Sequence, residues 1–370
     1  MIFDSTVPTG APLPNTFYQR YGQKLNSSEA MALAVTIADY ARGFSSPNPP
    51  VGAVVLDATQ RLVGLGITQP PGGNHAEIEA LREAGENARG GALYVTLEPC
   101  NSQGRTGPCS VALLAAGIKN LYYGVSDNTV AEGGAEYLRT HGITVVQMHD
   151  EVQSSVGLQS WLHRLKTQKP LITAKIAATI DGFSAAADGT SQWITGPEAR
   201  ADGHIERSRV DAIVMGTGTL LADDPSLTAR ANDQRLYPRQ PLRVIMGERE
   251  LPGEKNLGEL GPDVFHVPEE FKCSPAIHIR SRSWERALSY FSQWEFNSVL
   301  LEGGPRLIGD ALAEDIVDRV LYYVAPMFLG QGLAAATTSK IATLSDSRRF
   351  TMLEHTQLGE DLKITMGRNV

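Results

Sequence analysis

The chain has 370 residues, of which 42% are hydrophobic and 20% charged. This composition is typical of a globular protein and excludes wholesale disorder, and the length favours two domains. Its 33 basic and 41 acidic residues give a net charge of −8, which argues against a nucleic-acid partner or an anionic membrane surface. No apolar run is long enough to span a bilayer, and three cysteines are too few for a disulfide-stapled secreted scaffold. We therefore expect a cytoplasmic protein.

The first half of the chain predicts an α/β domain. Residues 1–26, rich in proline and without the layout of a signal peptide, are expected to form a flexible arm. The helices predicted from apolar spacing cover 31–42, with Ser27 or Ser28 as N-cap, then 75–84 and 110–116. The predicted strands cover 51–56, 62–68, 92–97, 121–125 and 144–147. Their alternation indicates a layered domain over 27–148 with a largely parallel sheet.

The second half predicts another α/β domain. Polar residues 149–169 are expected to form a helical linker, and the second domain is expected to cover 170–370. Its predicted strands are 171–178, 212–215, 242–246, 299–301 and a pair within 350–366. Its predicted helices are 200–209, 284–294 and 307–316.

The strongest chemical signal is a candidate zinc site in the first domain. His75, Cys100 and Cys109 offer one imidazole and two thiolates, and three protein ligands leave a fourth position open. An open position suits catalytic zinc, because a water bound there loses its proton near neutral pH. Glu77 follows His75 at the start of the same predicted helix, so its carboxylate can miss the metal and act as general acid and base.

Alternative interpretations of these residues are structural. The cysteines can be buried apolar residues, and His75 a solvated helix cap. Against this, two of the three cysteines in the chain fall at this one place. The order His-x-Glu followed by Pro-Cys is typical of zinc deaminases, although eight residues rather than two separate Cys100 from Cys109.

The second domain contains glycine-rich turns but no dinucleotide-binding G-x-G-x-x-G after its first strand. Gly303 and Gly304 follow a predicted strand and precede a predicted helix. Bare N–H groups at such a turn can bind a phosphate. Alone the signal is weak, because a purely structural turn has the same sequence.

Taken together, motifs in both halves resemble those of the bifunctional riboflavin biosynthesis proteins of the RibD family. The motifs are PNPPVG at 47–52, HAE at 75–77, TLEPC at 96–100, GRTGPC at 104–109 and EGGP at 302–305. The resemblance implies a cytidine-deaminase-like three-layer αβα domain followed by a dihydrofolate-reductase-like α/β domain. It further implies Zn²⁺ and NADPH as cofactors, a small phosphoribosylaminopyrimidine as substrate, and a homo-oligomer, either dimer or tetramer.

The resemblance also implies roles for individual residues. In the deaminase half, Asn48 and Arg105 are expected to contact the substrate. In the reductase half, the expected NADPH-binding residues are Ala177, Trp193, Thr219, Asp223, Gly304 and Pro305. The expected substrate-binding residues there are Lys175, Ser191, Arg207, Leu227, Arg230 and Glu302. Cys273 is expected to be a bystander.

Three positions depart from the family pattern. Ser102 stands where the family usually has histidine, residues 127–130 replace a more proline-rich loop, and Phe183 stands where arginine is common. Two rival functions remain open. One is a zinc deaminase of another base, such as a tRNA adenosine, which leaves the second domain unexplained. The other is a non-catalytic module with structural zinc, which needs a fourth protein ligand and no Glu77.

Overall fold

The computed structural model describes residues 13–102, 107–152, 156–251, 260–261 and 276–368. The described chain divides into two compact units between Leu162 and His163. This division falls inside the predicted 149–169 linker, where the structure has two helices, His149–Val152 and Val156–Thr167. None of the helices among the described residues combines the length and the apolar character needed to cross a membrane.

The first unit is built on a five-stranded sheet. Its helices are α1 Asn15–Tyr18, α2 Ser27–Ala38, α3 Ala76–Ala84, α4 Cys109–Ala115, α5 Gly134–Thr140, α6 His149–Val152 and α7 Val156–Thr167, the last of which continues into the second unit. Its strands are β1 Gly52–Leu56, β2 Leu62–Ile67, β3 Ala92–Leu97, β4 Asn120–Val125 and β5 Thr144–Gln147, in the order β2-β1-β3-β4-β5. The prediction of a largely parallel sheet needs correction to a mixed sheet, because the pairings within β3-β4-β5 are parallel but β1 is antiparallel to both β2 and β3.

Two other predictions for this unit need correction. Helix α2 is capped by Asn26, not by Ser27 or Ser28, because the Asn26 side chain and Glu29 form a reciprocal capping box. Residues 13–26 are not a free arm, since Gly22 and Leu25 donate backbone hydrogen bonds to the edge around β2. Residues 1–12 lie outside the described residues.

Two close approaches place α2 and α3 on opposite faces of this sheet. A Cβ on Gly52 would lie 2.1 Å from the carbonyl oxygen of Ala34 in α2, and one on Gly66 would lie 2.1 Å from that of Ala76 in α3. Gly52 pairs with Ile67, the neighbour of Gly66. Because neighbouring residues of a strand point to opposite faces, the two helices form separate layers around the sheet, as expected for an αβα domain.

The second unit is built on a nine-stranded sheet. Its helices are α8 Pro197–Ser208, α9 Thr217–Asp223, α10 Trp284–Gln293 and α11 Pro305–Ala313. Its strands are β6 Leu171–Thr179, β7 Phe183–Ala186, β8 Ala212–Gly216, β9 Leu242–Met246, β10 Leu260–Gly261, β11 Ala276–Ile279, β12 Ser298–Leu301, β13 Arg319–Ala325, β14 Gly332–Ala334, β15 Thr351–Leu358 and β16 Asp361–Gly367. The sheet order is β10-β11-β9-β8-β12-β6-β13-β16-β15, and β7 pairs separately with β14.

The seven strands from β10 to β13 in this order are mutually parallel, and β16 and β15 continue the sheet antiparallel. Two apolar cores cover its faces, one containing Trp284 and Phe291 of α10 and the other Leu220 of α9. Successive strand residues, such as Val214 and Met215, point to opposite faces and belong to different cores. The carboxyl ends of parallel strands meet at one edge of a sheet, which is where α/β proteins bind ligands.

We predict that Gly66→Ala lowers the free energy of unfolding of the first unit by about 1–3 kcal/mol, because the new methyl group overpacks the β2–α3 contact. Thermal unfolding of this variant should be compared with that of Gly107→Ala, whose Cβ would meet no atom of the described residues within 4 Å. Equal melting temperatures for the two variants would contradict the close approach of α3 to β2.

Candidate active sites

The four residues of the predicted zinc site come together at the ends of three elements. His75 is the N-cap residue of α3, which places its imidazole beside the first turn of that helix. Cys100 lies three residues after the end of β3, and Cys109 is the first residue of α4. Glu77 belongs to the first turn of α3 and is 4% exposed.

The donor atoms have the spacing of a zinc site. Nδ1 of His75 lies 3.6 Å from Sγ of Cys100 and 3.4 Å from Sγ of Cys109, and all three donor atoms lie within 4.8 Å of one another. Tetrahedral zinc with ordinary Zn–S and Zn–N bonds places its sulfur and nitrogen ligands about 3.6 Å apart. Both nitrogen–sulfur distances therefore fit a shared zinc ion.

The titratable groups of this site perturb one another strongly. A hydrogen bond with Cys109 lowers the pKa of Cys100, and the hydrogen bond between His75 and Cys100 raises the pKa of His75 to about 9. The hydrogen bond with Cys100, together with burial, raises the pKa of Cys109. Burial raises the pKa of Glu77 to about 7, which suits a group that must both accept and return a proton near neutral pH.

Other predicted deaminase residues are less constrained. Asn48 lies in the loop before β1, where its carbonyl oxygen accepts a hydrogen bond from the Ser45 hydroxyl at 3.0 Å. Arg105 lies outside the described residues, as does Cys273 in the other unit. Ser102 is half-buried two residues after Cys100. Asp127, in the loop that departs from the family pattern, is buried, and its negative charge helps to raise the pKa of His75.

In the second unit, half-buried Lys175 and Arg207 form a charge cluster with buried Glu302. The Nε and Nη2 atoms of Arg207 donate to the two carboxylate oxygens of Glu302, each at 2.7 Å. The Lys175 ammonium lies 3.9 Å from the same carboxylate. Burial opposes ionisation of Glu302, but the cations of Arg207 and Lys175 lower its pKa to about 2.

This pairing limits how Arg207 can bind a phosphate. Its planar fork already binds Glu302, and its Nη1 donates to the carbonyl oxygen of Thr228 at 3.0 Å. Arg230 is different, because its buried Nε has no hydrogen-bond partner among the described residues. A buried donor without a partner is costly, so the Nε of Arg230 is available for an anion, whereas that of Arg207 is not. The predicted neighbour Leu227 is 1% exposed and adopts a positive φ of 51°.

His204 also contacts this cluster, although it is not among the predicted substrate-binding residues. Its Nδ1 lies 3.1 Å from the Thr228 carbonyl oxygen that Arg207 also contacts. Burial and the cations of Arg207 and Arg230 lower the pKa of His204 to about 4, so the imidazole is neutral near pH 7. Its spacing of three residues from Arg207 on α8 is the sequence signal that could have revealed it.

Three predicted NADPH residues line one cavity of about 570 Å³, namely Thr219, Gly304 and Pro305. The Gly304 amide donates to the Thr219 hydroxyl at 2.9 Å, which ties the turn before α11 to α9. The cavity is also lined by four charged residues that were not predicted, Arg249, Arg282, Arg306 and Asp310. The cavity therefore combines glycine-rich backbone with cations, as a dinucleotide phosphate requires.

The other predicted reductase residues do not line this cavity. Ala177 packs against the core beside α9, Asp223 is an exposed residue at the end of α9, and Trp193 is 68% exposed with the Arg200 guanidinium 4.4 Å from its ring centre. Ser191 is half-buried in the loop before α8. Their assignments to cofactor and substrate stay predictions.

Two family models match the chain. Residues 25–125 match the cytidine and deoxycytidylate deaminase zinc-binding region, and residues 170–364 match the RibD C-terminal domain. The first match includes all three candidate zinc ligands and Glu77. The second includes the charge cluster and the cavity.

Whole-chain relatives combine both regions. The chain is 42% identical to riboflavin biosynthesis protein RibD of Mycobacterium tuberculosis over 91% of this chain and 96% of the relative. It is 35% identical to that of Escherichia coli, over 90% and 96%. The structure of Acinetobacter baumannii RibD is similar with a TM-score of 0.78 and 33% identity, over 93% of this chain and 99% of that one.

A Thermotoga maritima structure is similar with a TM-score of 0.78 and 29% identity, over 92% of this chain and 98% of that one. It is described as a diaminohydroxyphosphoribosylaminopyrimidine deaminase and 5-amino-6-(5-phosphoribosylamino)uracil reductase.

We predict that Glu302→Gln lowers the free energy of unfolding of the second unit by about 3 kcal/mol near neutral pH, because half-buried Arg207 loses its ionised partner. The pKa of Glu302 is lowered in the folded state, so its contribution is complete above its unfolded value of 4.5 and is lost as the pH falls toward about 2. The difference in the free energy of unfolding between the variant and the wild type should therefore decrease as the pH falls from 4.5 toward about 2.

Urea unfolding at several pH values measures this effect. Glu295→Gln, which removes the same charge from an exposed position, serves as the control. A constant difference between Glu302→Gln and the wild type at all pH values would show that Glu302 is not held ionised by Arg207.

Proposed function

Because the chain belongs to the RibD family of riboflavin biosynthesis proteins, we propose that its two active sites are built from the residues described above. The chain is a bifunctional enzyme, with a zinc-dependent deaminase and an NADPH-dependent reductase. We assign the deaminase to residues 27–148 and the reductase to 170–370, with 149–169 as the linker. The family matches at 25–125 and 170–364 support these bounds.

The deaminase substrate that we propose is 2,5-diamino-6-(5-phosphoribosylamino)pyrimidin-4(3H)-one. The description of the T. maritima relative supports this choice. Zinc held by His75, Cys100 and Cys109 would supply Lewis-acid chemistry, which makes a water molecule nucleophilic near neutral pH. The observation that carries the proposal is the convergence of these three donors at zinc-ligand spacing with Glu77 beside them.

Glu77 moves the protons of this reaction. Its carboxylate is buried and interacts with Cys109, so it lies at the metal site without being one of the three ligands. It takes a proton from the water whose oxygen bonds to the ring carbon, and returns a proton to the exocyclic nitrogen as the carbon–nitrogen bond breaks. Ammonia leaves, and a ring carbonyl remains. Asn48 and Arg105 would hold the pyrimidine and its substituents.

The reductase half then reduces the ribosyl group of the deaminated product to ribityl. Thr219, Gly304 and Pro305 would bind NADPH in the cavity beside α9 and α11. When bound, NADPH would supply the hydride, and a proton from solvent would complete the reduction. Ala177, Trp193 and Asp223 would complete that site.

The sugar phosphate would bind among the remaining polar residues of the reductase. The buried Nε of Arg230, which has no partner in the described part of the chain, can donate a hydrogen bond to a phosphate oxygen. Glu302, held ionised by Arg207 and Lys175, would accept hydrogen bonds from the sugar or ring nitrogens. Ser191 and Leu227 would line the rest of the substrate site.

The rival functions are less consistent with these observations. The match to the RibD C-terminal domain explains the second unit, which a deaminase of a tRNA base leaves unexplained. For the structural-zinc alternative, the metal-ligand cluster found in the described part of the chain contains three side chains. Such a site lacks the fourth ligand of a closed structural centre.

We also propose that the protein forms a homo-oligomer, dimer or tetramer, in the cytoplasm, whose reducing conditions preserve the two thiolate ligands. Strand β15 is at the edge of the nine-stranded sheet, where Met352 and Leu353 are 59% and 55% exposed. An exposed apolar edge strand favours pairing with another chain.

Sedimentation velocity should show that the wild type is an oligomer and that the double variant Met352→Lys, Leu353→Lys dissociates more readily. A monomeric wild type would contradict the proposal.

We predict that Glu77→Gln retains zinc but lowers the deaminase rate by about 10²–10⁴-fold, because the amide cannot accept and return the proton. Ammonia release and zinc content should be measured on the same sample. Glu86→Gln removes an exposed carboxylate that follows α3 and should behave as the wild type. Full ammonia release by Glu77→Gln would remove Glu77 from the mechanism.

We predict that Thr219→Val weakens NADPH binding, because the Gly304 amide loses the hydroxyl oxygen that accepts its hydrogen bond. Ligand at about 100 times its Kd stabilises a protein by about 2.7 kcal/mol, so the NADPH-induced shift in melting temperature should be smaller in the variant. Thr140→Val, in the deaminase unit, should leave the shift unchanged. An undiminished shift in Thr219→Val would place the cofactor elsewhere.

A further inference from the structure

A second buried carboxylate lies next to the zinc site without contacting the metal ligands. Glu98 directly follows β3, precedes Cys100 by two residues and is 9% exposed. The proposed chemistry leaves it without a role. A buried carboxylate is costly unless it is paired or fully hydrogen-bonded, so its contacts indicate what it does.

The Glu98 carboxylate bridges the loop after β4 and the first turn of α5. Its Oε1 accepts from the Ala135 amide at 3.0 Å, and its Oε2 accepts from the Asp127 amide at 3.3 Å. The Glu98 amide itself donates to the Val125 carbonyl oxygen at 2.8 Å. One side chain therefore ties both ends of residues 127–135, which comprise the loop after β4 and the first two residues of α5 and are called the loop 127–135 below, to the segment that contains Cys100.

The same loop holds the backbone around Cys100. The Asn101 amide donates to the Ala131 carbonyl oxygen at 2.9 Å. Gly134 packs so closely that a Cβ there would lie 1.8 Å from the carbonyl oxygen of Pro99. The residues immediately before and after Cys100 thus both contact the loop that Glu98 anchors.

On its other side, the Cys100 segment contacts the start of α4. The Cys100 carbonyl oxygen accepts from the Ser110 amide at 3.2 Å, and the Ser110 hydroxyl donates to Asn101 Oδ1 at 2.7 Å. The Cys109 amide donates to Sγ of Cys100 at 3.4 Å. The first cysteine ligand is therefore held between α4, which contains the second, and the loop 127–135.

We infer that Glu98 is a positioning residue for the zinc centre, which sets the place of Cys100 by fixing the loop 127–135 against it. The inference rests on the proposed zinc centre. A carboxylate can accept from both amides at once, whereas a glutamine offers one oxygen and turns an N–H group toward the other amide. An aspartate keeps the charge but is one methylene too short to keep the bridge.

The test measures metal binding by the full-length chain. Metal-free wild type, Glu98→Gln and Glu98→Asp are titrated with Co²⁺ against a chelator, and the visible absorption of the bound Co²⁺ is recorded. Glu132→Gln removes an exposed carboxylate from the same loop and is the matched control. NADPH-dependent reductase activity and thermal unfolding, measured on the same samples, report whether each variant is folded.

We expect both Glu98 variants to bind Co²⁺ about 10–100-fold more weakly than the wild type, the usual effect of removing a group that orients a metal ligand. Their Co²⁺ absorption should be altered and their reductase activity retained, with Glu132→Gln unchanged. If Glu98→Gln does not fold, Glu98→Asp decides by the same measurements.

Wild-type affinity and spectrum in Glu98→Gln would overturn the inference while leaving the zinc centre intact. A normal Glu98→Asp beside a weakened Glu98→Gln would assign the effect to charge rather than position, which also overturns it. A wild type that binds no Co²⁺ would overturn the proposed zinc centre and this role of Glu98 together.

Discussion

The deaminase half depends on one geometric constraint, which is that three soft donors from separate elements meet at zinc-ligand spacing. His75 and Cys109 lie 34 residues apart in the chain, yet their donor atoms lie 3.4 Å apart. The close contact of α3 with β2 at Gly66 places the histidine. The loop 127–135 holds the segment of Cys100. Because zinc tolerates little variation in ligand distance, these contacts belong to the active site although they do not touch the metal.

The reductase half has a different constraint, the burial of charge. Ionised Glu302 is paired with Arg207 and Lys175 at the edge where parallel strands end. Buried ion pairs contribute little net stability compared with apolar packing, which is consistent with the substrate-binding role that we propose for these residues. The Nε of Arg230, which has no hydrogen-bond partner among the described residues, agrees with this, since a phosphate oxygen would satisfy that donor.

Much of the zinc site was predictable from the sequence, because the metal restricts both the ligand types and their order along the chain. The motifs of the second half likewise indicated its family. Helix α5 was missed because its N-cap is Gly133, without a capping side chain, and Glu98, distant in sequence, accepts from its first turn instead. The engagement of Arg207 by Glu302 was missed for the same reason, since 95 residues separate the two. Interactions between distant residues leave no local pattern.

The central claim is a zinc ion with three protein ligands and one open position. X-ray absorption at the zinc edge, recorded on enzyme that is releasing ammonia, tests it most directly. The account predicts one zinc per chain with two sulfur ligands, one imidazole nitrogen and one oxygen from solvent. A coordination shell completed by a fourth protein side chain, or active enzyme without zinc, would contradict it.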